Sequence, residues 1–397
     1  MNSSVAGNDV VIVDAVRTPV GRRRGKLAHI HPADLLAHTL SYLTERSGVD
    51  PSRLSDVITG CGAQNGEQAH NIGRWAALGA GLPEKLPATT IDRQCGSGQQ
   101  AVHFAAQAVR SGEYGFAIGC GVESMSRVDL GPLFDPSRGP GTWFGIRALD
   151  RYDGAVPAQG PSAELVAAKW GLTRADLDAY SIESHRRAAA ATDAHAFDSQ
   201  LVPLAMEGNE SRSEPQISAT DEGIRRNIDP DKVASLAPVF DPHGVITAAN
   251  SSQISDGAAA VLVADHAVAA DAGLRPKAVI RAMAVIADDP VLQLTAVVPA
   301  TLMALAQAGL TLDDIDRFEV NEAFACVPLM YMRELGLDAE RVNVNGGSIA
   351  IGHPIGSTGA RMLTDLVHEL HRSELRYGLL TICEGGGMAN ATIIERI

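Results

Sequence analysis

The chain has 397 residues, too many for one ordinary hydrophobic core and enough for two or three domains. Apolar residues make up 45%, charged residues 20% and aromatics only 4%, a balance that suits a soluble enzyme of close-packed helices and tight glycine turns. The net charge of −14 argues against general nucleic-acid binding and for a soluble cytoplasmic protein, so any contact with phosphate must be local. No apolar run is long enough to insert in a membrane, and residues 1–9 carry no secretory signal. The five cysteines, Cys61, Cys95, Cys120, Cys326 and Cys383, are odd in number, widely scattered and never spaced Cys-x-x-Cys. That excludes a disulfide framework, a zinc ribbon and a redox dithiol.

In chain order, residues 10–13 read as a buried strand and residues 33–46 as a helix with Leu35, Leu36, Leu40 and Leu43 on one face. Residues 56–60 predict a strand, 99–110 a helix, and 116–119 a strand ending at Cys120. This alternation predicts a largely parallel sheet covered by helices. Between about 125 and 247 the character changes: residues 132–160 are rich in Gly, Pro, Arg and Asp, 164–191 are helical, and 208–223 are polar and loop-like. This segment predicts an inserted lid, after which residues 258–264 form a strand. The second half repeats the order: strand 278–285, helix 299–308, strand 318–320 leading to Asn321, helix 359–370 after His353, and strand 379–382 ending at Cys383. Aligning the halves sets Cys95 against His353 and Cys120 against Cys383 at nearly the same offset, as duplication would. The expected division is 1–124 with 248–275 as the first half, 125–247 as the lid, and 276–397 as the second half.

Three stretches combine reactive residues with glycines: Asp92-Arg93-Gln94-Cys95-Gly96-Ser97-Gly98, Gly352-His353-Pro354 and Cys383-Glu384-Gly385-Gly386-Gly387. A free thiol titrates near pH ~8.5, so a nucleophilic cysteine needs a base, and histidine suits that task near neutrality. A helix following Cys95 would also favour a thiolate through its N-terminal dipole. A second cysteine in its own glycine loop adds a second acid/base, which points to carbon–carbon bond chemistry at a thioester rather than simple hydrolysis. Taken singly, a buried cysteine, a capping histidine or a glycine turn is more often structural, and Cys120 reads that way.

The same residues closely resemble the thiolase family. The chain has Cys95 in Gln94-Cys95-Gly96-Ser97-Gly98, Asn321-Glu322-Ala323-Phe324-Ala325, Gly346-Gly347-Ser348-Ile349-Ala350-Ile351-Gly352-His353-Pro354-Ile355-Gly356, and Cys383-Glu384-Gly385-Gly386-Gly387, in the family's order and across nearly its whole length. The resemblance implies an α/β thiolase fold: duplicated βαβαβαββ halves in a layered α/β/α/β/α arrangement with an inserted lid that binds coenzyme A. It implies thiolytic cleavage of a 3-ketoacyl-CoA to acetyl-CoA and a shortened acyl-CoA, by a ping-pong mechanism through acyl-Cys95. In that mechanism His353 deprotonates Cys95, Cys383 shuttles a proton to the departing acetyl-CoA, Asn321 positions a water, and the N–H groups of Gly385 and Cys95 form an oxyanion hole. Coenzyme A is a substrate, with no metal and no tightly bound cofactor required. By the same resemblance Arg225, Lys232 and Ser252 contact coenzyme A, although an exposed Arg or Lys is usually a solvated charge. A homodimer or homotetramer is implied as well.

Several positions depart from the family pattern. Asp92 replaces an asparagine, Ala158-Gln159 a His-Met pair, Gln293-Leu294 a Met-Gly pair, and Glu384 an apolar residue. The changes at 158–159 and 293–294 suggest an acyl group larger than acetyl, and the chain resembles actinobacterial degradative, steroid-pathway thiolases. Competing readings are a short-chain acetyl-CoA acetyltransferase, a ketoacyl synthase, a cysteine thioesterase, and a non-catalytic thiolase-like partner subunit.

Overall fold

The apolar strand that opens the chain, β1 (Val10–Arg17), is buried throughout. Its side chains divide between two cores, Val11, Val13 and Val16 in one and Val10, Ile12 and Ala15 in the other, the alternation switching at a register shift between Ile12 and Asp14. A strand apolar on both faces must lie in the middle of a layered molecule. The computed structural model describes residues 9–128, 145–152, 158–206 and 216–397.

β1 lies between β8 (Ser255–Asp265) and β9 (Ala278–Ala287) in a ten-stranded sheet. The first half contributes β3 (Leu54–Gly60), β4 (Ala88–Ile91) and β5 (Phe116–Ser124). The second contributes β10 (Arg317–Val320), β11 (Tyr377–Glu384) and β12 (Met388–Arg396). The order is β10-β11-β12-β9-β1-β8-β5-β3-β4, with the short β2 (Gly21–Arg22) on β8. Each half runs in the same spatial sequence, β3-β5-β8-β1 and β10-β11-β12-β9. The duplication read from the cysteine and histidine offsets is therefore present as topology.

The expectation of a largely parallel sheet is corrected. β3 pairs parallel with β4 and β5, and β10 with β11, but β1–β8, β1–β9, β5–β8, β9–β12, β11–β12 and β2–β8 are all antiparallel. The last strand of each half returns without a covering helix: β12 follows β11 through the Gly385–Gly387 turn, and β8 comes back after the long inserted segment. A second correction concerns Cys120. It lies in mid-strand in β5, which runs on to Ser124, and its sulfur meets Thr59 Oγ1 at 3.1 Å.

Two helices lie between the halves. The helix after the candidate nucleophile Cys95, Ser97–Arg110 (the nucleophile helix), and the helix after His353, Ile355–Arg372 (the histidine helix), pack on each other and share a core with Ile58, Ala117, Val261, Ile280, Leu380 and Ile394. Helices Pro32–Ser47 and Ile72–Gly79 cover the outer face of the first half, and Val297–Ala308 and Cys326–Leu335 that of the second. These are the five layers of the implied fold. The expected helical patch at 164–191 is two helices, Gln159–Lys169 and Arg174–Asp193, broken at Gly171 with φ +58°. Much of the 132–160 and 208–223 stretches lies outside the described residues; on either side of the second gap, β6 (Leu204–Met206) pairs antiparallel with β7 (Gln216–Ser218). Among the described residues no helix is long and apolar enough to cross a membrane.

Polar groups buried in the central layer give the fold a pH signature. His103 of the nucleophile helix meets Thr392 Oγ1 at 2.7 Å through Nε2, and Nδ1 has no partner among the described residues. Burial holds this imidazole neutral, its pKa lowered to about 3. In the unfolded chain it titrates near ~6.5. Between those values only the unfolded chain binds the proton, so this contribution is complete above ~6.5 and lost on acidification by up to about 1.4 kcal/mol per pH unit. The stability advantage of the native protein over His103→Gln is therefore expected to narrow as pH falls from about 7 to about 5. Unfolding titrations at each pH check this, and a constant gap would contradict it.

Candidate functional site

The site forms where the N-termini of the two central helices meet. The approach is close enough to require glycine. A Cβ on Gly359 would lie 2.2 Å from the Gln99 backbone nitrogen, one on Gly98 2.7 Å from the Gly356 carbonyl, and one on Gly121 2.1 Å from that same carbonyl. Residues 97–99, just after Cys95, thus touch residues 356–360, just after His353. The helices begin earlier than the sequence suggests, at Ser97 and Ile355, so both reactive residues stand two positions before a helix N-terminus.

The Cys95 loop is pinned locally. Asp92 Oδ1 accepts from the Gln94 N–H at 2.7 Å, the Arg93 N–H donates to Ser97 Oγ at 2.8 Å, and Ser97 Oγ donates to the Gln94 carbonyl at 2.6 Å. The asparagine-to-aspartate departure at position 92 is therefore satisfied, because this bond needs only an acceptor oxygen. Gln94 is left-handed, φ +51°, which costs a non-glycine residue about 1 kcal/mol and fixes the direction in which Cys95 leaves the turn. Cys95 is buried, and burial pushes its thiol up to about 12. Gln159 Nε2, on the inserted segment, donates to the sulfur at 3.6 Å and opposes the shift, while Glu384 adds to it. The resting residue is a thiol, and it needs a base.

His353 is shaped to be one. Thr358 Oγ1 donates to the Pro354 carbonyl at 2.8 Å, so at its 2.7 Å contact with His353 Nδ1 the threonine oxygen accepts. That places the ring proton on Nδ1 and the lone pair on Nε2. Nε2 is buried with no partner among the described residues, and burial holds the ring neutral, its pKa lowered to about 3. The ring is therefore a free acceptor in the correct tautomer.

Asn321 supplies the complement. Its Oδ1 accepts from Ser348 Oγ at 2.6 Å, and Ser348 in turn accepts from Arg361 Nη2 at 3.1 Å. The amide is thereby oriented, and its Nδ2 is buried without a partner among the described residues. Buried polar groups are nearly always satisfied, so an orphan acceptor and an orphan donor mark the place of a ligand or water. Cys383, near the end of β11, is fully buried. Burial first, and then negative charge on Cys95, push its thiol well above the ordinary range. Gly385 lies against the Gln94 side chain, so the Cys383 loop touches the Cys95 loop.

Gln159 and Gln293 carry roles that sequence reasoning misses, since it reads them as changes in the wall of an acyl pocket. Gln159 also bonds Cys95, and the buried Gln293, left-handed at φ +51°, accepts the Gly386 N–H at 3.1 Å. Gln253 is missed as well: its Nε2 donates to the Gly223, Ile349 and Ala350 carbonyls, and its own backbone carbonyl accepts the His353 N–H at 3.2 Å. A glutamine beside a motif has no distinctive sequence signal. Glu322 of the Asn-Glu-Ala-Phe box is bonded by Tyr180, Ser184, Asn343 and the Ile349 N–H, which ties helix Arg174–Asp193 to the histidine loop.

Arg225 and Lys232 line one exposed cleft of about 410 Å³, together with Arg226 and Asn227. A narrower cleft shares Arg225 and runs along His185, Ser251 and Gln253 to Ile349, in the histidine loop. Ser252 is half-buried beside it, its N–H donating to the Ala323 carbonyl at 3.0 Å, and Ser251 is the serine on the cleft wall. The sequence-predicted residues therefore form two groups. Cys95, His353, Asn321, Cys383 and Gly385 surround the helix ends, and Arg225 and Lys232 stand on a cationic rim outside.

Comparison with known proteins agrees with this geometry. The thiolase N-terminal domain model matches residues 10–267 and the thiolase C-terminal domain model residues 274–396. A steroid 3-ketoacyl-CoA thiolase of Mycobacterium tuberculosis is 44% identical, over 98% of this chain and 94% of that protein. An acetyl-CoA acetyltransferase of Chromobacterium violaceum is 41% identical, over 98% of this chain and 100% of that protein. The crystal structure of the Bacillus anthracis acetyl-CoA acetyltransferase superposes with a TM-score of 0.89 at 35% identity, covering 99% of this chain and 100% of that one. Matched by family across both halves and by structure end to end, the chain belongs to the thiolases, a family of acyltransferases.

Proposed function

We propose that this thiolase cleaves a 3-ketoacyl-CoA longer than acetoacetyl-CoA, using coenzyme A, to acetyl-CoA and a shortened acyl-CoA. The observation that carries the reading is a pair of buried thiols in touching loops, with a neutral histidine at the start of the helix packed against the Cys95 helix, its Nε2 without a partner among the described residues. A thiol held near 12 cannot ionise alone at neutral pH, and His353 Nε2 takes its proton. The Cys95 thiolate attacks the 3-keto carbon, and the N–H groups of Cys95 and Gly385 hold the oxyanion, each such donor contributing about 3 kcal/mol. The carbon–carbon bond breaks, and Cys383 gives its proton to the departing acetyl-CoA carbanion. Its raised pKa suits that exchange, because the closer a thiol comes to a carbon acid, the better its thiolate recovers the proton in the reverse direction. The incoming coenzyme A thiol then returns a proton to Cys383 and takes the acyl group from Cys95, which recovers its own proton from His353. Asn321 Nδ2 holds a water against the thioester oxygen of the enolate.

Arg225 and Lys232 on the exposed rim suit the phosphates and adenine of coenzyme A, and the narrower cleft toward Gln253 suits its pantetheine arm, with Ser252 beside it. Residues 125–247 act as the lid, 1–124 with 248–275 and 276–397 as the two halves, and no tightly bound cofactor takes part. The edge strand β4, directly before the nucleophile loop, offers a pairing surface for a homodimer, or a homotetramer built from dimers. The protein acts in the cytoplasm. The likeness to a thiolase named for steroids supports a bulky acyl group.

Incubating the protein with a 3-ketoacyl-CoA and no free coenzyme A should add one acyl mass per chain, and Cys95→Ala should add none while keeping its melting temperature. An adduct persisting on the variant would remove Cys95 as nucleophile. Across a series of substrates, kcat/KM should rise from acetoacetyl-CoA to longer or cyclic 3-ketoacyl-CoAs in graded steps, since one methylene is worth only about 1–3 kcal/mol. A preference for acetoacetyl-CoA over every longer substrate would favour the acetyl-CoA acetyltransferase reading, which the names of two similar proteins also support.

A further inference from the structure

Glu384, at the junction of the two thiol loops, is a buried group that this mechanism leaves unused. It follows Cys383 in β11, and strand alternation turns it to the opposite face, the face of Leu380 and Ile382, toward the central helices. There its carboxyl lies against Gly96, the residue after the nucleophile: a Cβ on Gly96 would stand 1.8 Å from Glu384 Oε1. Gly96 has φ −89° and ψ 5°, which other residues can adopt, so the space occupied by Glu384 accounts for the glycine and the backbone angle does not. The Glu384 side chain is fully buried, and neither carboxyl oxygen has a hydrogen-bond partner among the described residues.

The ionisable groups facing it are Arg93 and Asp92 in the nucleophile loop and the thiols of Cys95 and Cys383. Arg93 does not bond it, and its Nη1 points to Met388 Sδ at 3.5 Å, across the hairpin from Glu384. A carboxylate in such a place has no donor to hold it, so the protonated acid is favoured. Burial accordingly holds Glu384 well above the ordinary carboxylate range. A negative charge there would push both thiols further up.

We propose that Glu384 is a positioning residue of the thiol site: a protonated carboxylic acid that fills the space over Gly96, joins the nucleophile loop to the Cys383 strand, and keeps the ground between the two sulfurs free of negative charge so that charge can form on Cys95. The proposal rests on the reading of Cys95 as nucleophile. Above its own raised pKa, Glu384 carries a charge that opposes a second one on Cys95. An amide or an alkyl group in its place never does.

The test is the pH profile of Cys95 alkylation by iodoacetamide, read by peptide mass in the whole protein, for the native chain, Glu384→Gln and Glu384→Leu. In both variants labelling is expected to match the native chain near neutral pH, where Glu384 is uncharged, and to pull ahead above the pH at which Glu384 ionises. The midpoint therefore falls, with labelling about tenfold faster for each pH unit of that fall. Variants that label faster at neutral pH as well would show a charged Glu384 and overturn the proposal. A change of packing alone would not move that midpoint in the same direction in both. Unchanged midpoints with Cys95 still labelled overturn the proposal and leave the nucleophile assignment standing. Failure to label Cys95 in any form overturns the nucleophile assignment, and the proposal with it. A second variant tests the packing without altering Glu384: Gly96→Ala should lower the melting temperature, and Gly96→Ala with Glu384→Ala should restore part of the loss. A Gly96→Ala protein that melts like the native one shows that the carboxyl does not fill this space and overturns the proposal.

Discussion

The close approach of two helix N-termini is the constraint on which the rest of this structure depends. The nucleophile and histidine helices come from opposite halves of the chain and meet at backbone contact, made possible by Gly98, Gly356 and Gly359. Each helix end carries a partial positive charge and free N–H groups, so the two ends together favour whatever negative charge forms between them. Cys95 and His353 stand just outside those ends because each occupies the glycine loop that feeds its helix. A side chain at Gly359 would separate the helices, and with them the thiol and its base.

Around that contact a buried ionic chain holds the polar groups in place. Arg17, fully buried in β1, forms a fork with Asp221 of the inserted segment at 2.8 and 3.0 Å and reaches Asp365 of the histidine helix at 2.8 Å. Asp365 holds Arg361 at 2.7 Å, and Arg361 leads through Ser348 to Asn321. Breaking one member of a buried ionic set costs about 3–5 kcal/mol, so this chain fixes the inserted segment, the histidine helix and the Asn321 amide as one unit. Against that background the free Nε2 of His353 and the free Nδ2 of Asn321 are openings left for a ligand, and Glu384 is a buried acid without a donor among the described residues.

Much of the site is legible in the sequence, for a local reason. Cysteine, histidine and asparagine in glycine-rich loops before helices are short-range patterns, and the matched offsets of Cys95 with His353 and of Cys120 with Cys383 expose the duplication. Strand direction is not legible, because β8 reads as an apolar run whether parallel or antiparallel, and only its partners decide. The roles of Gln159, Gln253 and Gln293 are hidden for a related reason: each acts on a loop distant in the chain, Gln159 on Cys95 across 64 residues and Gln293 on Gly386 across 93. Glu384 stands out as a departure from the family pattern, but its meaning lies in the side chain that Gly96 lacks.

In the proposed mechanism Cys95 and Cys383 together divide a carbon–carbon cleavage into two half-reactions. Rapid mixing of the enzyme with a 3-ketoacyl-CoA in the absence of free coenzyme A measures this most directly. A burst of one acetyl-CoA per active site is predicted, with the remaining acyl group held until coenzyme A is added and then released as acyl-CoA. Steady release of free acid without coenzyme A, or no acetyl-CoA burst at all, would contradict it.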